Sequence, residues 1–247
     1  MAGSIGNIET DIIKNGLVFN MDAANRASTI PKSNVTVVKD TVNNITGSVN
    51  NEYDIWEGPT TASFSLDGID DYIDFESFSG VTGLYALTVS VWYKSSTYPD
   101  SLARLIEGNQ FSIYQPNGSA SNMKGRFYYI AKSEPYGNQF FTLGGSSASG
   151  VGDLADGNWH NLCFTYNASN TTAVVYEDSV AVITKTDVTA PNDSFQLRNT
   201  TGDLVIGARQ NFSNEIVGNI GPVQIYNRAL SASEVLHNYN ALKGRFS

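Results

Sequence analysis

The chain has 247 residues, 41% of them hydrophobic and 16% charged, with a formal net charge of −9. Those numbers allow one large all-β domain or two small ones with a real core, and they set aside nucleic-acid binders, which carry a basic face. The one cysteine, Cys163, excludes a disulfide within the chain, and no apolar run approaches the roughly 20 residues of a membrane helix, so no membrane insertion is expected.

In chain order, MAGSIGNIET lacks the basic start and apolar stretch of a signal peptide, which predicts synthesis in a reducing cytoplasm. "GLVFNMD" alternates at Leu17, Phe19 and Met21 and predicts a first strand. Residues 22–60 are polar and weakly patterned, an extended connection or a packing arm. The expected organisation is therefore an N-terminal docking or packing extension over 1–60 and a sandwich over 61–247. In "LTVSVWYK", Leu87, Val89, Val91 and Tyr93 share one face, and Thr88, Ser90, Trp92 and Lys94 the other. "GGSSASGVG" is a flexible loop, and its G-x4-G spacing lacks the lysine of a phosphate-binding loop. His160, Leu162, Phe164 and Tyr166 share a face of "WHNLCFTY". "TTAVVYED" and "SVAVITKT" predict a hairpin turned at residues 177–179, and "DLVIGAR" and "GPVQIYNR" two further strands. Roughly a dozen such strands predict an all-β, two-sheet antiparallel jelly-roll sandwich. One short C-terminal helix is predicted over 231–242. Ser231 and Glu234 form a capping box, Val235, Tyr239 and Leu242 recur at helical spacing, and Lys243–Gly244 stops the helix. Eight N-x-S/T sequons follow from a surface rich in Asn and Thr.

Four stretches in order, "FSLDGIDDYIDF", "LTVSVWYK", "DGNWHNLCFTY" and "IGPVQIYNRALSASEV", resemble laminin-G-like domains of the concanavalin-A-like jelly-roll class over residues 62–242. The resemblance implies two face-to-face antiparallel sheets. The two ends, "NGLVFNMDAANRAS" and "NRALSASEVLHNYNALKGRF", are similar to laminin-G-like modules in virion proteins of tailed bacteriophages. That similarity implies a non-catalytic structural virion protein, a capsid decoration or a tail or fibre component made in the host cytoplasm. Its partners would be other virion proteins, host-surface glycans and further copies of itself. One position departs from the pattern: Gly221-Pro222 follows Ile220 where the family carries an acidic residue, which removes one ground for expecting calcium.

Several residues bear on chemistry. Glu52, Asp54 and Glu57 in "EYDIWE" resemble the carboxylate signature of laminarinase-type (family 16) glycoside hydrolases. A retaining glycosidase needs two carboxyl groups about 5–5.5 Å apart. In a regular strand Glu57 points away from the other two, and the string precedes the family strands instead of lying mid-fold. An acidic edge segment is therefore the favoured reading, with a β-glucan hydrolase as the alternative. Asp67, Asp70, Asp71 and Asp74 form an oxygen-rich cluster in which Asp70 and Asp71 are the calcium candidates; a tight turn is favoured. No other cofactor is expected. His160 reads as a packed core histidine, and Cys163, an odd number of positions away, faces the opposite side, which opposes a Cys–His dyad. His237 falls on the exposed side of the helix. Sugars pack on aromatic rings, so Trp92, Tyr98 and Tyr136 are the expected glycan contacts, and a stand-alone carbohydrate-binding module is the alternative to the virion role.

Overall fold

The computed structural model describes residues 11–29, 35–50, 62–97, 102–115, 154–186 and 196–246 in full, and the backbone of 56–57, 124–129 and 139–143. Sixteen strands occur among them: β1 (Leu17–Met21), β2 (Val37–Lys39), β3 (Thr46–Asn50), β4 (Trp56–Glu57), β5 (Ser63–Asp67), β6 (Tyr72–Phe78), β7 (Ala86–Lys94) and β8 (Arg104–Glu107), then β9 (Phe111–Tyr114), β10 (Lys124–Tyr129), β11 (Gln139–Leu143), β12 (Trp159–Asn167), β13 (Thr172–Glu177), β14 (Val180–Lys185), β15 (Gly202–Ile206) and β16 (Val217–Tyr226). They form two antiparallel sheets. The first runs β14-β13-β12-β7-β16-β5-β4 with β1 also on β16, and the second runs β11-β10-β9-β8-β15-β6-β3-β2. Strands preceding residue 61 are thus hydrogen-bonded into both sheets.

The core lies between the layers. Leu87, Val89, Val91 and Tyr93 of β7 and Leu162, Phe164 and Tyr166 of β12 point into it, as their alternation predicts. Phe19 of the first sheet meets Phe75 and Phe78 of the second edge-on at 4.9 and 5.6 Å, the geometry aromatic quadrupoles favour. The β13–β14 hairpin turns through Asp178 and Ser179, both at positive φ, as a two-residue turn matched to strand twist requires.

Pro222 sits in the middle of β16, where a proline removes a ladder hydrogen bond. The register with β7 shifts between Ile220 and Val223. On the opposite edge, β5 pairs with residues 217–220 and β1 with residues 223–226. The proline therefore falls where one neighbour hands over to the next, the kind of irregularity that tolerates it.

The α-helix α1 (Ala232–Leu242) starts with the predicted capping box and continues into a 3-10 turn over Lys243–Arg245. Two Arg228 N–H groups donate to Glu234 at 2.9 and 2.6 Å, and these bonds hold its carboxyl down to about 2. Asn238, also buried, donates to the Tyr226 hydroxyl at 2.9 Å and accepts from the Ile13 N–H at 2.8 Å. The helix is thereby tied to β16 and to the segment before β1.

Candidate functional site

A concavity with a volume of about 310 Å³ lies beyond edge strand β2. Its walls are the loop Arg26–Thr29 and residues 35–39. The loop is shaped by its own short polar side chains. The Asp22 carboxylate accepts the Ala24 N–H at 2.9 Å, and the Asn25 side chain accepts the Ala27 N–H at 2.9 Å. Two Asx turns in succession fold "DAANRAST" back on itself. Ser28 joins the loop to β2: its carbonyl accepts the Lys39 N–H at 2.7 Å, and its hydroxyl donates to the Lys39 carbonyl at 2.5 Å. Arg245, just past α1, donates to both Asp22 oxygens at 2.7 and 2.9 Å and so anchors the loop from the C-terminus.

Arg26 and Lys39 are exposed at this pocket and no carboxylate is among its described lining, although the whole chain carries −9. Ala27, Val35 and Val37 supply apolar surface and Thr36 an exposed hydroxyl, whereas the Ser28 hydroxyl is buried in its bond to Lys39. The Thr29 Oγ1 is buried and makes no hydrogen bond. Two exposed cations beside apolar patches and the exposed Thr36 hydroxyl suit a small, polyhydroxylated anion.

A second polar constellation lies on the outward side of the second sheet. Register places Ser48, Asp74, Val205, Glu107 and Ser112 in one row across five strands. Arg104 donates to Glu107 at 2.5 Å and lies over the Tyr114 ring at 4.7 Å. Apart from Ser48, which is exposed, these side chains are buried, so most of the row is internal instead of a contact surface. Asp74 Oδ1 has no hydrogen-bond partner, and burial, followed by the nearby Asp203 and Glu76 charges, pushes its pKa up to about 6. A carboxyl raised in the fold binds its proton more tightly folded than unfolded. Its contribution is therefore fully present below about pH 4 and is lost as pH rises through 6. Asp74→Asn is expected to raise the melting temperature at pH 7–8 and leave it nearly unchanged at pH 4. Equal shifts at both pH values would contradict this.

The structure corrects two expectations. Trp92 is 2% exposed and offers no free face: Tyr239 stacks on it at 5.5 Å and Phe246 at 4.5 Å. Alternation rightly put it opposite the core, but the C-terminal segment covers that side. His160 is not packed among apolar residues. Its Nδ1 lies 3.1 Å from Asp178 and 3.7 Å from Glu177, and its Nε2 lies 3.2 Å from Asp156. The hydrogen bond to Asp178 pushes its pKa up to about 9 against the opposing effect of burial. Cys163 packs on the other side of β12 with Tyr176 and Tyr226, and burial pushes its thiol up to about 12. His237 lies on the exposed side of α1 with Nε2 2.6 Å from the Asp11 carbonyl.

The aspartate cluster links β5 to β6 and so crosses between the sheets. Asp67 accepts the Ile69 N–H at 2.8 Å and Asp71 accepts the Asp67 N–H at 2.9 Å, both bonds serving the turn. Carboxylate oxygens of Asp67, Asp70 and Asp71 lie within 4.8 Å of one another. Asp71 keeps one buried oxygen unbonded, and burial pushes its pKa up to about 6. Glu57 lies on edge strand β4; Glu52, Asp54, Tyr98 and Tyr136 lie outside the described residues. Sequence reasoning missed Arg26, Lys39 and Thr29. Their signal was a pair of Asx-turn formers flanked by cations in an acidic chain.

Residues 67–236 match the model of the laminin-G type described as "Concanavalin A-like lectin/glucanases superfamily". The chain belongs to this concanavalin-A-like family. No curated protein matches it. Among solved structures, this family member is similar to the binding domain of Paraclostridial Mosquitocidal Protein 1, with TM-score 0.63, 15% identity, and coverage of 92% of this chain and 52% of that one. It is also similar to the ligand binding domain of botulinum neurotoxin serotype D in complex with N-acetylneuraminic acid, with TM-score 0.60, 15% identity, and coverage of 91% and 50%. Domain 4 of AbnA, a GH43 extracellular arabinanase from Geobacillus stearothermophilus, in complex with arabinotriose, has TM-score 0.60, 17% identity, and coverage of 90% and 98%. The chain spans about half the length of the toxin binding domains and nearly all of the arabinanase domain. At these identities the likeness concerns the fold alone.

Proposed function

We propose that this concanavalin-A-like chain is a non-catalytic glycan-binding module that holds an acidic sugar in the Arg26–Lys39 pocket. The pocket itself carries the proposal: it is open, and it has two exposed cations, the exposed Thr36 hydroxyl, apolar walls and no described carboxylate. Its volume of about 310 Å³ sits at the small end of ligand pockets, which suits one terminal sugar better than a threaded chain. Solved neighbours that are binding domains, two of them named with a bound sugar, support the glycan class and the absence of catalysis. The resemblance of both chain ends to tailed-phage modules supports placing the chain on a virion, as a capsid decoration or a tail or fibre component displaying this pocket to host glycans.

A glycan array tests the binding. Sialylated or uronate-containing glycans are expected to bind above their neutral counterparts, with signal falling as salt rises because both cations are exposed. Uniform signal from neutral and acidic glycans would contradict the assignment. Co-sedimentation with purified particles tests the virion role: a protein absent from particles is a stand-alone binding module.

A further inference from the structure

His160 occupies a position the glycan reading does not use. Three carboxylates, Asp156, Glu177 and Asp178, crowd one imidazole at the start of β12. A protonated ring brings one positive charge to this cluster, and a divalent cation brings two. The geometry also has the proportions of a coordination shell. Zinc bonds to nitrogen and carboxylate oxygen run about 2.0–2.2 Å, which separates tetrahedral ligands by about 3.3–3.6 Å. Asp178 Oδ2 and Glu177 Oε1 lie 3.1 and 3.7 Å from Nδ1, on either side of that range. One ligand atom from each of the three residues falls within 4.8 Å of the other two.

The outer contacts fit as well. Metal-bound histidines commonly donate their second ring nitrogen to a carboxylate, which fixes the ring; here Nε2 faces Asp156 at 3.2 Å. Asp178 keeps its Oδ2 toward the ring because its Oδ1 accepts the Asn161 N–H at 2.8 Å. The imidazole and Glu177 side chains are 13% and 15% exposed and Asp178 is 34% exposed, which leaves an entry path and room for water as a fourth ligand.

We propose that His160, Glu177 and Asp178 bind a divalent transition-metal cation, zinc by the nature of the donors, with Asp156 as the positioning residue. The site joins β12 to the β13–β14 turn and is separate from the Arg26–Lys39 pocket.

Isothermal titration of tag-free, chelator-treated full-length protein with zinc chloride tests it. One equivalent is expected to bind. His160→Ala abolishes binding, Glu177→Gln and Asp178→Asn each weaken it at least as strongly as Asp156→Asn, and Asp156→Asn weakens it about 10- to 100-fold. His237→Ala, which changes the other histidine of the chain, leaves binding unchanged. Glu177→Gln preserves side-chain shape, so its loss of binding with an unchanged circular dichroism spectrum separates coordination from misfolding. No zinc binding by the wild type, or binding that survives His160→Ala, overturns the proposal.

Discussion

Trp92→Ala is expected to lower the stability of the protein by about 3–5 kcal/mol, the range for truncating a large buried aromatic. Trp92 lies on the outer side of β7, and its ring is stacked by two residues more than a hundred positions away. Tyr239 stacks on the ring within 8° of parallel and Phe246 within 22°, while Ile12 and Leu242 complete the same cluster. Gly221 belongs to this arrangement: a Cβ there would lie 2.9 Å from Trp92 Cβ and 3.1 Å from the Phe246 ring. Truncation leaves a hole that rigid strands cannot collapse, and α1 loses the surface it packs on. Trp92→Phe is expected to cost much less, because the indole Nε1 makes no hydrogen bond and its removal leaves no new orphan. Urea unfolding of both variants measures the difference. A loss below about 1 kcal/mol in Trp92→Ala would mean that α1 is held by its hydrogen bonds and not by this stack.

Asp22→Ala is expected to cost a similar amount, about 3–5 kcal/mol, because it strips a buried guanidinium of its carboxylate. The Asp22 and Arg245 side chains are 7% and 10% exposed. Burying such a pair is not in itself strongly stabilising, so the double variant Asp22→Ala/Arg245→Met is expected to recover much of the loss. The single variant also removes the acceptor that turns the chain at Ala24, so sugar binding should fall with stability. If the double variant is no more stable than Asp22→Ala alone, the loss comes from the Asx turn and not from the broken ion pair.

These two contacts show what sequence could and could not reveal. Alternation in β7 and β12 identified the core faces correctly, because a two-residue period and a buried layer leave little choice. The capping box at Ser231 was readable because both of its bonds span three residues. Trp92 was misjudged for the opposite reason: the same alternation marks a side as facing away from the core without saying what returns to cover it. His160 failed similarly, since its carboxylate partners come from a turn 17 and 18 residues onward and from a loop before the strand. The pocket depended on the Arg26–Thr29 loop meeting β2 in one register, a pairing that no periodic pattern announces. Pro222 stood out in sequence as a departure, and only the exchange of β5 for β1 along β16 explains it.

Calorimetric titration of a sialylated or uronate oligosaccharide into the wild type and into Arg26→Ala/Lys39→Ala tests the pocket most directly. Hydrogen bonds to charged groups contribute about 1.5–3 kcal/mol each, so removing two such cations should weaken binding by about a hundredfold or more. Both side chains are exposed, so the melting temperature should stay where it was. An affinity unchanged in the double variant would place the sugar elsewhere on the sandwich, and a wild type that binds no acidic sugar would remove the proposed function altogether.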